Sequence, residues 1–306
     1  MKVIITTKCH PVLQERLQKA GYEVVYLPAV TYEELYVQME EVAGLVVSTR
    51  VPVERALLER ATQLRWIGRL GSGLELIDVE YARSKGIQVI NSPEGNRDAV
   101  GEHALGMLLG LMKKLTSSYL EVRDGKWLRD ENRGTELNGK TVGIIGFGNT
   151  GQAFAKVLRG FDVTILAHDK YLFGFGGGQV KEASLEQVLR YSQIISLHLP
   201  LTAETRHYAD THFFANAALQ PFFLNASRGK VHDTAAVIQA LKNRQIAGAA
   251  LDVLENESLS TYTAEEQEQL NWLLQQSNVL VTPHIAGYSH ESFYKMSNIL
   301  ADKLGI

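Results

Sequence analysis

The chain has 306 residues, more than one hydrophobic core usually organises, so two domains are expected. An apolar share of 45%, a charged share of 21% and a net charge of −3 with no basic block argue against a nucleic-acid or membrane-surface partner. The one cysteine, Cys9, rules out an internal disulfide and has no metal-ligand spacing around it, which fits a reducing, cytoplasmic setting.

The N-terminal apolar run is too short for a secretory segment, and the most apolar stretch, residues 104–112, is about half of what a membrane span needs. In the first third, short apolar runs alternate with amphipathic segments. Val3-Ile4-Ile5, Val24-Val25-Tyr26-Leu27, Leu45-Val46-Val47, Trp66-Ile67-Gly68 and Ile87-Gln88-Val89-Ile90 read as strands. Val12, Leu13, Leu17 and Ala20, then Val53, Ala56, Leu57 and Arg60, carry helical spacing. Gly21 and Gly86 stand where a helix ends. Near-continuous apolar strands separated by helices predict a parallel sheet covered on both faces.

Residues 98–120 read as one long buried helix through Ala104, Leu105, Leu108, Leu109 and Met112. Residues 121–138 read as a polar loop anchored by Trp127. The strand–helix rhythm restarts at Thr141 and continues through Val163-Thr164-Ile165-Leu166, Ile194-Ile195-Ser196-Leu197, Phe222-Phe223-Leu224, Ala249-Ala250-Leu251 and Val279-Leu280-Val281. The fold class is therefore α/β, with two doubly wound parallel-sheet domains.

The strongest local signal is Gly146-Phe147-Gly148-Asn149-Thr150-Gly151. It forms a G-x-G-x-x-G turn directly after the apolar run 142–145 and before a helical pattern of Ala153, Phe154, Val157 and Leu158. The first glycine permits the tight turn, the second admits a pyrophosphate to the backbone, and the third allows helix and strand to pack closely. The helix N-terminus then presents amides and a positive dipole end to the phosphates. Asp169, about twenty residues on, stands where a carboxylate holds the ribose 2′-hydroxyl, which predicts NAD over NADP. Lys170 beside it is a cation that would offset the repulsion of a 2′-phosphate. Residues 134–141 also match G-x-x-x-x-G-K-T, but they run from a polar loop into a strand, the wrong context for a triphosphate loop.

Polar residues then follow successive apolar strands: Ser196-Leu197-His198-Leu199-Pro200, Asn225-Ala226-Ser227-Arg228-Gly229, Asp252 through Glu257, and Thr282-Pro283-His284-Ile285-Ala286-Gly287. They fall at the carboxyl edge, where open α/β sheets place their ligands. Together with residues 68–78, 91–96 and 101–103, these segments resemble the D-isomer-specific 2-hydroxyacid dehydrogenase family, and the resemblance runs almost from end to end.

That resemblance implies a flavodoxin-like substrate domain of residues 1–97 and 286–306 and a Rossmann NAD-binding domain of residues 98–285, with the catalytic cleft between them. It implies Arg228 as the substrate-orienting arginine, His284 as the acid–base residue and Glu257 as its partner. Asp252 matches the position that holds the nicotinamide carboxamide. Further cofactor contacts are implied at His198, Pro200, Thr205, Ala226 and Gly287, and Ser72 and Gly73 match the loop that grips the substrate carboxylate. A small 2-hydroxy or 2-keto acid is the expected partner, and the segment after Asp98 looks like the family's dimerisation helix, so a homodimer is expected. No metal and no appended regulatory module are expected.

Within the family, Val47-Ser48-Thr49-Arg50 and Ile67-Gly68-Arg69 are most similar to 3-phosphoglycerate dehydrogenases, which makes Arg50 and Arg69 candidate phosphate ligands. Hydroxypyruvate or glyoxylate reduction, and a non-enzymatic NAD(H)-sensing regulator of the same fold, are the alternatives. Three positions depart from the family's habit. Glu75 stands where many relatives have an amide or aspartate, Ser258 follows Glu257 where many have proline, and Pro221 leads into the segment of Asn225.

Overall fold

The computed structural model describes residues 1–306, which divide into two compact units, 1–97 with 288–306, and 98–287. The return crossing lies between Gly287 and Tyr288 rather than at Ile285. No helix is long and apolar enough to cross a membrane.

The first unit is built on a five-stranded sheet of β1 (Lys2–Ile5), β2 (Glu23–Tyr26), β3 (Val42–Val47), β4 (Trp66–Arg69) and β5 (Gln88–Asn91). Their order is β2-β1-β3-β4-β5 and every pairing is parallel. This is the flavodoxin-like order. Parallel strands need a crossover each, and helices α1 (Pro11–Lys19), α2 (Tyr32–Gln38), α3 (Arg55–Arg60) and α4 (Val79–Ser84) supply them. Alternate side chains serve opposite faces. Val3, Ile5, Val46 and Trp66 pack with Leu13 and Leu17 of α1 and with Leu300 and Ala301 of the C-terminal helix, His290–Leu304. Ile4, Leu45, Val47 and Ile67 pack with Leu35, Leu57 and Leu58 on the other face. Because both faces are covered, all six residues of β3 are buried, which is why that strand reads as an unbroken apolar run.

The second unit begins with α5 (Arg97–Met112) and α6 (Leu115–Arg123), followed by β6 (Thr141–Ile145), α7 (Asn149–Val157), β7 (Thr164–His168), β8 (Val180–Glu182), α8 (Leu185–Tyr191) and β9 (Ile194–Leu197). Then come α9 (Thr211–Ala215), β10 (Phe222–Asn225), α10 (Thr234–Lys242), β11 (Gly248–Leu251), α11 (Ala264–Gln275) and β12 (Val279–Val281). The seven parallel strands lie in the order β12-β11-β10-β9-β6-β7-β8, with the switch point between β9 and β6. That reversal is the Rossmann arrangement, and it leaves a crevice at the carboxyl ends of the two central strands. Ala104, Leu108 and Leu111 of α5 and Phe154 of α7 cover one face. Val188, Phe213, Phe214, Val237 and Leu273 cover the other. Each such fully buried large side chain contributes about 1.5–3 kcal/mol of transfer free energy.

Between 98 and 138 the structure corrects three expectations. The single helix over 98–120 is two: Lys114 adopts a left-handed conformation (φ 55°) and its amide turns back to Leu111 O, while the Thr135 amide caps Met112 O at 2.8 Å. The returning chain therefore satisfies the carbonyls that a continuous helix would have used. The second helix then runs to Arg123, into the expected loop, and none of its residues is buried. Trp127, expected as an anchor, is 78% exposed because no part of this chain covers it. Strand β8 and helix α11 were not anticipated. Residues 134–141 do run into a strand, β6, and open no helix.

Candidate active site

The glycine turn sits at the carboxyl end of β6, beside the switch point. Gly146 has φ 89°, and a side-chain carbon there would lie 2.4 Å from His198 O. At Gly151 it would lie 2.1 Å from Gly146 O, so this glycine lets α7 close onto its own turn. At Gly148, by contrast, it would meet nothing within 4 Å. The middle glycine thus borders open space, which fits a pyrophosphate approaching the backbone. No side chain caps the first turn of α7, so the amides around Asn149 and Thr150 are available to an anion.

Asp169 follows β7 and faces this turn. One carboxylate oxygen accepts the Phe147 amide (2.8 Å), and the other accepts the amides of Tyr171 (2.9 Å) and Leu172 (3.0 Å). Lys170 forms an ion pair with Glu204 at 2.6 Å, and the same carboxylate accepts the Tyr171 hydroxyl. The cation beside Asp169 is thereby engaged by a neighbouring loop.

His198, Pro200 and Thr205 follow β9. The His198 ring is buried between Ser196 Oγ (2.9 Å) and Thr150 Oγ1 (3.3 Å), and burial pushes it down to about 3. It stays neutral and ties β9 to the first turn of α7. The Thr205 hydroxyl donates to Pro200 O at 2.6 Å and shapes the turn after the strand.

Arg228, Glu257 and His284 follow β10, β11 and β12, three adjacent strands of one sheet. Buried Asn225 forms the loop that carries Arg228. Its Oδ1 accepts Ser227 N (2.9 Å) and Ser227 Oγ (2.7 Å), and its Nδ2 donates to Arg228 O (2.9 Å) and to His232 Nδ1 (2.8 Å). His232 is fully buried and is pushed down to about 4 by that burial, so it accepts this bond as a neutral ring. The Arg228 Nη1 donates to Ser227 O at 2.7 Å. Ala226 is half-buried in the same loop.

His284 Nδ1 lies 2.8 Å from Glu257 Oε2, with both side chains close to half exposed (40% and 43%). An ionised carboxylate only accepts, so the ring donates from Nδ1 and leaves Nε2 directed elsewhere. His284 has φ 54°, a left-handed conformation rare for a residue with a side chain. Such a conformation costs of order 1–3 kcal/mol and persists where its surroundings determine it. The surroundings here are Asp252 and Thr282. The His284 amide donates to Asp252 O (2.7 Å) and to Thr282 O (3.0 Å).

The Asp252 carboxylate is wholly buried. Oδ1 accepts Thr282 Oγ1 (2.5 Å) and Ile285 N (2.9 Å) and lies 3.5 Å from His103 Nε2, and Oδ2 accepts Ala286 N (2.8 Å). Burial penalises its charge, but the donors from His103, Thr282, Ala286 and Ile285 prevail and hold it below its ordinary value of 3.8. The Asp252 carboxylate and carbonyl thus hold the backbone around His284. Gly287 closes the same segment, half-buried.

In the first unit, Ser72 and Gly73 lie in the loop after β4. That loop is tied by Gly71 N to Ser92 Oγ (3.2 Å) and by Asn91 Nδ2 to Ser72 O (2.7 Å). Arg69 closes β4, is buried, and turns its Nη1 back onto Leu70 O. Arg50 lies after β3, and its Nη2 donates to Thr6 O (3.3 Å), Pro28 O (2.9 Å) and Val30 O (2.9 Å). Both arginines therefore carry guanidinium nitrogens engaged by backbone carbonyls.

Sequence reasoning passed over His103, Thr282, Asn225 and Asn256 as site builders. Thr282 and Asn225 lie inside motifs that drew attention for other members. His103 lies in the stretch 101–103 that carries the family resemblance, but nothing local pairs it with Asp252, more than a hundred positions away.

The D-isomer specific 2-hydroxyacid dehydrogenase NAD binding domain profile matches residues 105–286. D-3-phosphoglycerate dehydrogenase from Archaeoglobus fulgidus is 32% identical over 306 residues, covering 99% of this chain and 56% of that protein. The chain spans about half the length of the curated relatives it matches. Among solved structures, D-lactate dehydrogenase from Aquifex aeolicus, complexed with NAD and lactic acid, superposes with a TM-score of 0.85 at 26% identity, covering 100% of this chain and 94% of that one. The NADPH-dependent glyoxylate/hydroxypyruvate reductase from Sinorhizobium meliloti gives 0.82 at 28% identity, with 99% and 93% covered. A profile match over more than half of the chain, on the unit that holds the glycine turn and the Glu257/His284 pair, means that this chain belongs to the D-isomer specific 2-hydroxyacid dehydrogenase family and carries that family's NAD-binding domain.

Proposed function

We propose that the protein is an NAD-dependent dehydrogenase that interconverts a D-2-hydroxy acid and its 2-keto acid. The observation that carries this reading is the 2.8 Å pair of His284 and Glu257, set one strand from Arg228 on a nucleotide-binding sheet. When bound, the nicotinamide supplies or accepts the hydride. His284, protonated, donates a proton to the carbonyl oxygen during reduction, and neutral it takes the hydroxyl proton during oxidation. Glu257 accepts from Nδ1 and so orients the ring. Arg228 offers a planar fork of donors to the substrate carboxylate and polarises the carbonyl. The turn at 146–151 holds the pyrophosphate and Asp169 the ribose hydroxyls, with Pro200, Thr205, Ala226 and Gly287 lining the dinucleotide. Asp252 and His198 act from beneath by fixing the backbone that carries these groups.

The substrate-binding role belongs to the unit of residues 1–97 and 288–306, through Ser72 and Gly73. The first candidate substrate is 3-phosphohydroxypyruvate, supported by the curated relatives, which are D-3-phosphoglycerate dehydrogenases. A second reading, hydroxypyruvate or glyoxylate, is favoured by the backbone engagement of Arg50 and Arg69 and by the Sinorhizobium relative's activity. A panel of 2-keto acids assayed with NADH separates them. Faster reduction of 3-phosphohydroxypyruvate, with an Arg69→Ala KM effect confined to it, supports the first, and better turnover of hydroxypyruvate supports the second. No turnover of any 2-keto acid by protein that binds NADH would refute the enzyme reading.

The exposed apolar side chains of α6 and the loop after it, Leu115, Tyr119, Val122 and Trp127, support a homodimer that covers them. Light scattering of the wild type and of a Tyr119→Glu, Trp127→Glu double variant tests this. A monomeric wild type would refute it.

A further inference from the structure

Catalysis as proposed above requires a carboxylate that is close to half exposed to meet an imidazole that is close to half exposed. Such a pair holds itself together weakly, because water screens the attraction and each side chain loses rotamer freedom. The placement of Glu257 must therefore come from its backbone, and the residues flanking it are tethered on both sides.

On the upstream side, Glu255 accepts the Thr234 amide at 2.8 Å with one oxygen and pairs with His207 Nε2 at 2.7 Å with the other. On the downstream side, Asn256 is held by every polar group it has except its amide. Its Oδ1 accepts the Ser258 amide at 3.0 Å, closing a turn around Glu257. That bond needs a residue with a backbone N–H at 258, and the chain has serine there. Its Nδ2 donates to Glu266 Oε1 (3.1 Å) and Thr261 Oγ1 (3.2 Å). Its carbonyl accepts the Tyr262 hydroxyl at 2.7 Å.

The segment that supplies these partners is itself closed. Thr261 Oγ1 donates to Ser258 O (2.8 Å), and Thr263 and Glu266 form a capping box at the start of α11. Glu266 serves the box with Oε2 and Asn256 with Oε1, so α11 and the Glu257 turn share one carboxylate.

Resting on the dehydrogenase reading, we propose that Asn256 and Tyr262 are positioning residues. They hold the Glu257 turn against α11, so that Glu257 meets His284 Nδ1 and the ring keeps Nε2 free for the reacting oxygen. They touch neither substrate nor dinucleotide in this role. Their effect passes through the tautomer and orientation of one imidazole, which is set by the bond its other nitrogen makes.

The test uses the full chain carrying Tyr262→Phe, with Asn256→Ala as a second variant and Glu257→Ala as the reference for complete loss of the partner. Nitrogen-15 spectra of the histidine rings in alkaline buffer read the tautomer of His284 directly. The wild type should show the proton on Nδ1, and both variants should shift His284 toward Nε2–H, as Glu257→Ala does. In keto-acid reduction with NADH, Tyr262→Phe should lower kcat about tenfold while KM and NADH affinity stay within about twofold. A wild-type tautomer in both folded variants would overturn the proposal, as would a loss confined to KM. The ring signal does not depend on turnover. A wild type that reduces no 2-keto acid therefore defeats the dehydrogenase reading, while an unmoved tautomer defeats this one.

Discussion

Replacing Asp252 by asparagine removes one charge and turns one acceptor into a donor at the most enclosed point of the site. Four donors converge on this buried carboxylate: the amides of Ile285 and Ala286, the Thr282 hydroxyl and the His103 ring. Asparagine can keep its oxygen toward Thr282 and Ile285, but its NH2 then faces the Ala286 amide at 2.8 Å, donor against donor. One buried N–H left unsatisfied and the lost charge assistance together cost about 2–4 kcal/mol. For a unit of this size each kcal/mol moves the melting temperature by about 2–4 °C. A fall of roughly 5–15 °C is expected at neutral pH, read by circular dichroism.

The pH dependence has a definite sign. The Asp252 carboxyl is held below 3.8 in the folded state, so its contribution is complete above the unfolded value and is lost as pH falls through the folded one. The gap between wild type and variant should be constant from pH 8 to about 5 and shrink below about 4. Because the same carboxylate and its carbonyl hold the strained backbone at His284, kcat should also fall about tenfold, equivalent to ~1.4 kcal/mol of transition-state stabilisation. A variant with wild-type melting temperature, or a gap that widens on acidification, would refute the assignment of Asp252 as a charged clamp.

Three other substitutions probe the remaining groups. His284→Ala should lower kcat by roughly 10²–10⁴-fold with NADH binding retained, measured by fluorescence titration and steady-state kinetics. Glu257→Gln keeps the shape but turns a pure acceptor into a group that can also donate, so the ring is oriented less strictly and kcat should fall about tenfold with NADH affinity retained, and an unchanged kcat would remove Glu257 from the mechanism. Asp169→Ala should raise the KM for NADH and narrow the preference over NADPH, since it removes the carboxylate that would accept the ribose hydroxyls and repel a 2′-phosphate. Equal efficiency with both cofactors in the wild type would contradict that role.

What could be read from residue order alone was whatever depends on neighbours along the chain. The triplet Gly146, Gly148 and Gly151 announces its turn because the steric demand on each glycine arises within a few residues. The apolar runs announce strands, and their unbroken character announces two covered faces. The placement of Arg228, Glu257 and His284 along one sheet edge was legible because each follows a strand within a recognisable motif, and parallel strands deliver their ends to one edge. Folding decided everything that depends on a partner far away. His103 and Thr282 converge on Asp252 from positions 103 and 282, and no local pattern encodes that meeting. The chain returning at Thr135 breaks the helix at Lys114, although the helical spacing before it is strong. Arg50 follows its strand as expected, but the carbonyls of residues 6, 28 and 30 decide what its guanidinium binds. Periodicity and glycine sterics are short-range properties of a backbone, whereas the partner of a hydrogen bond is chosen only when distant segments are packed together.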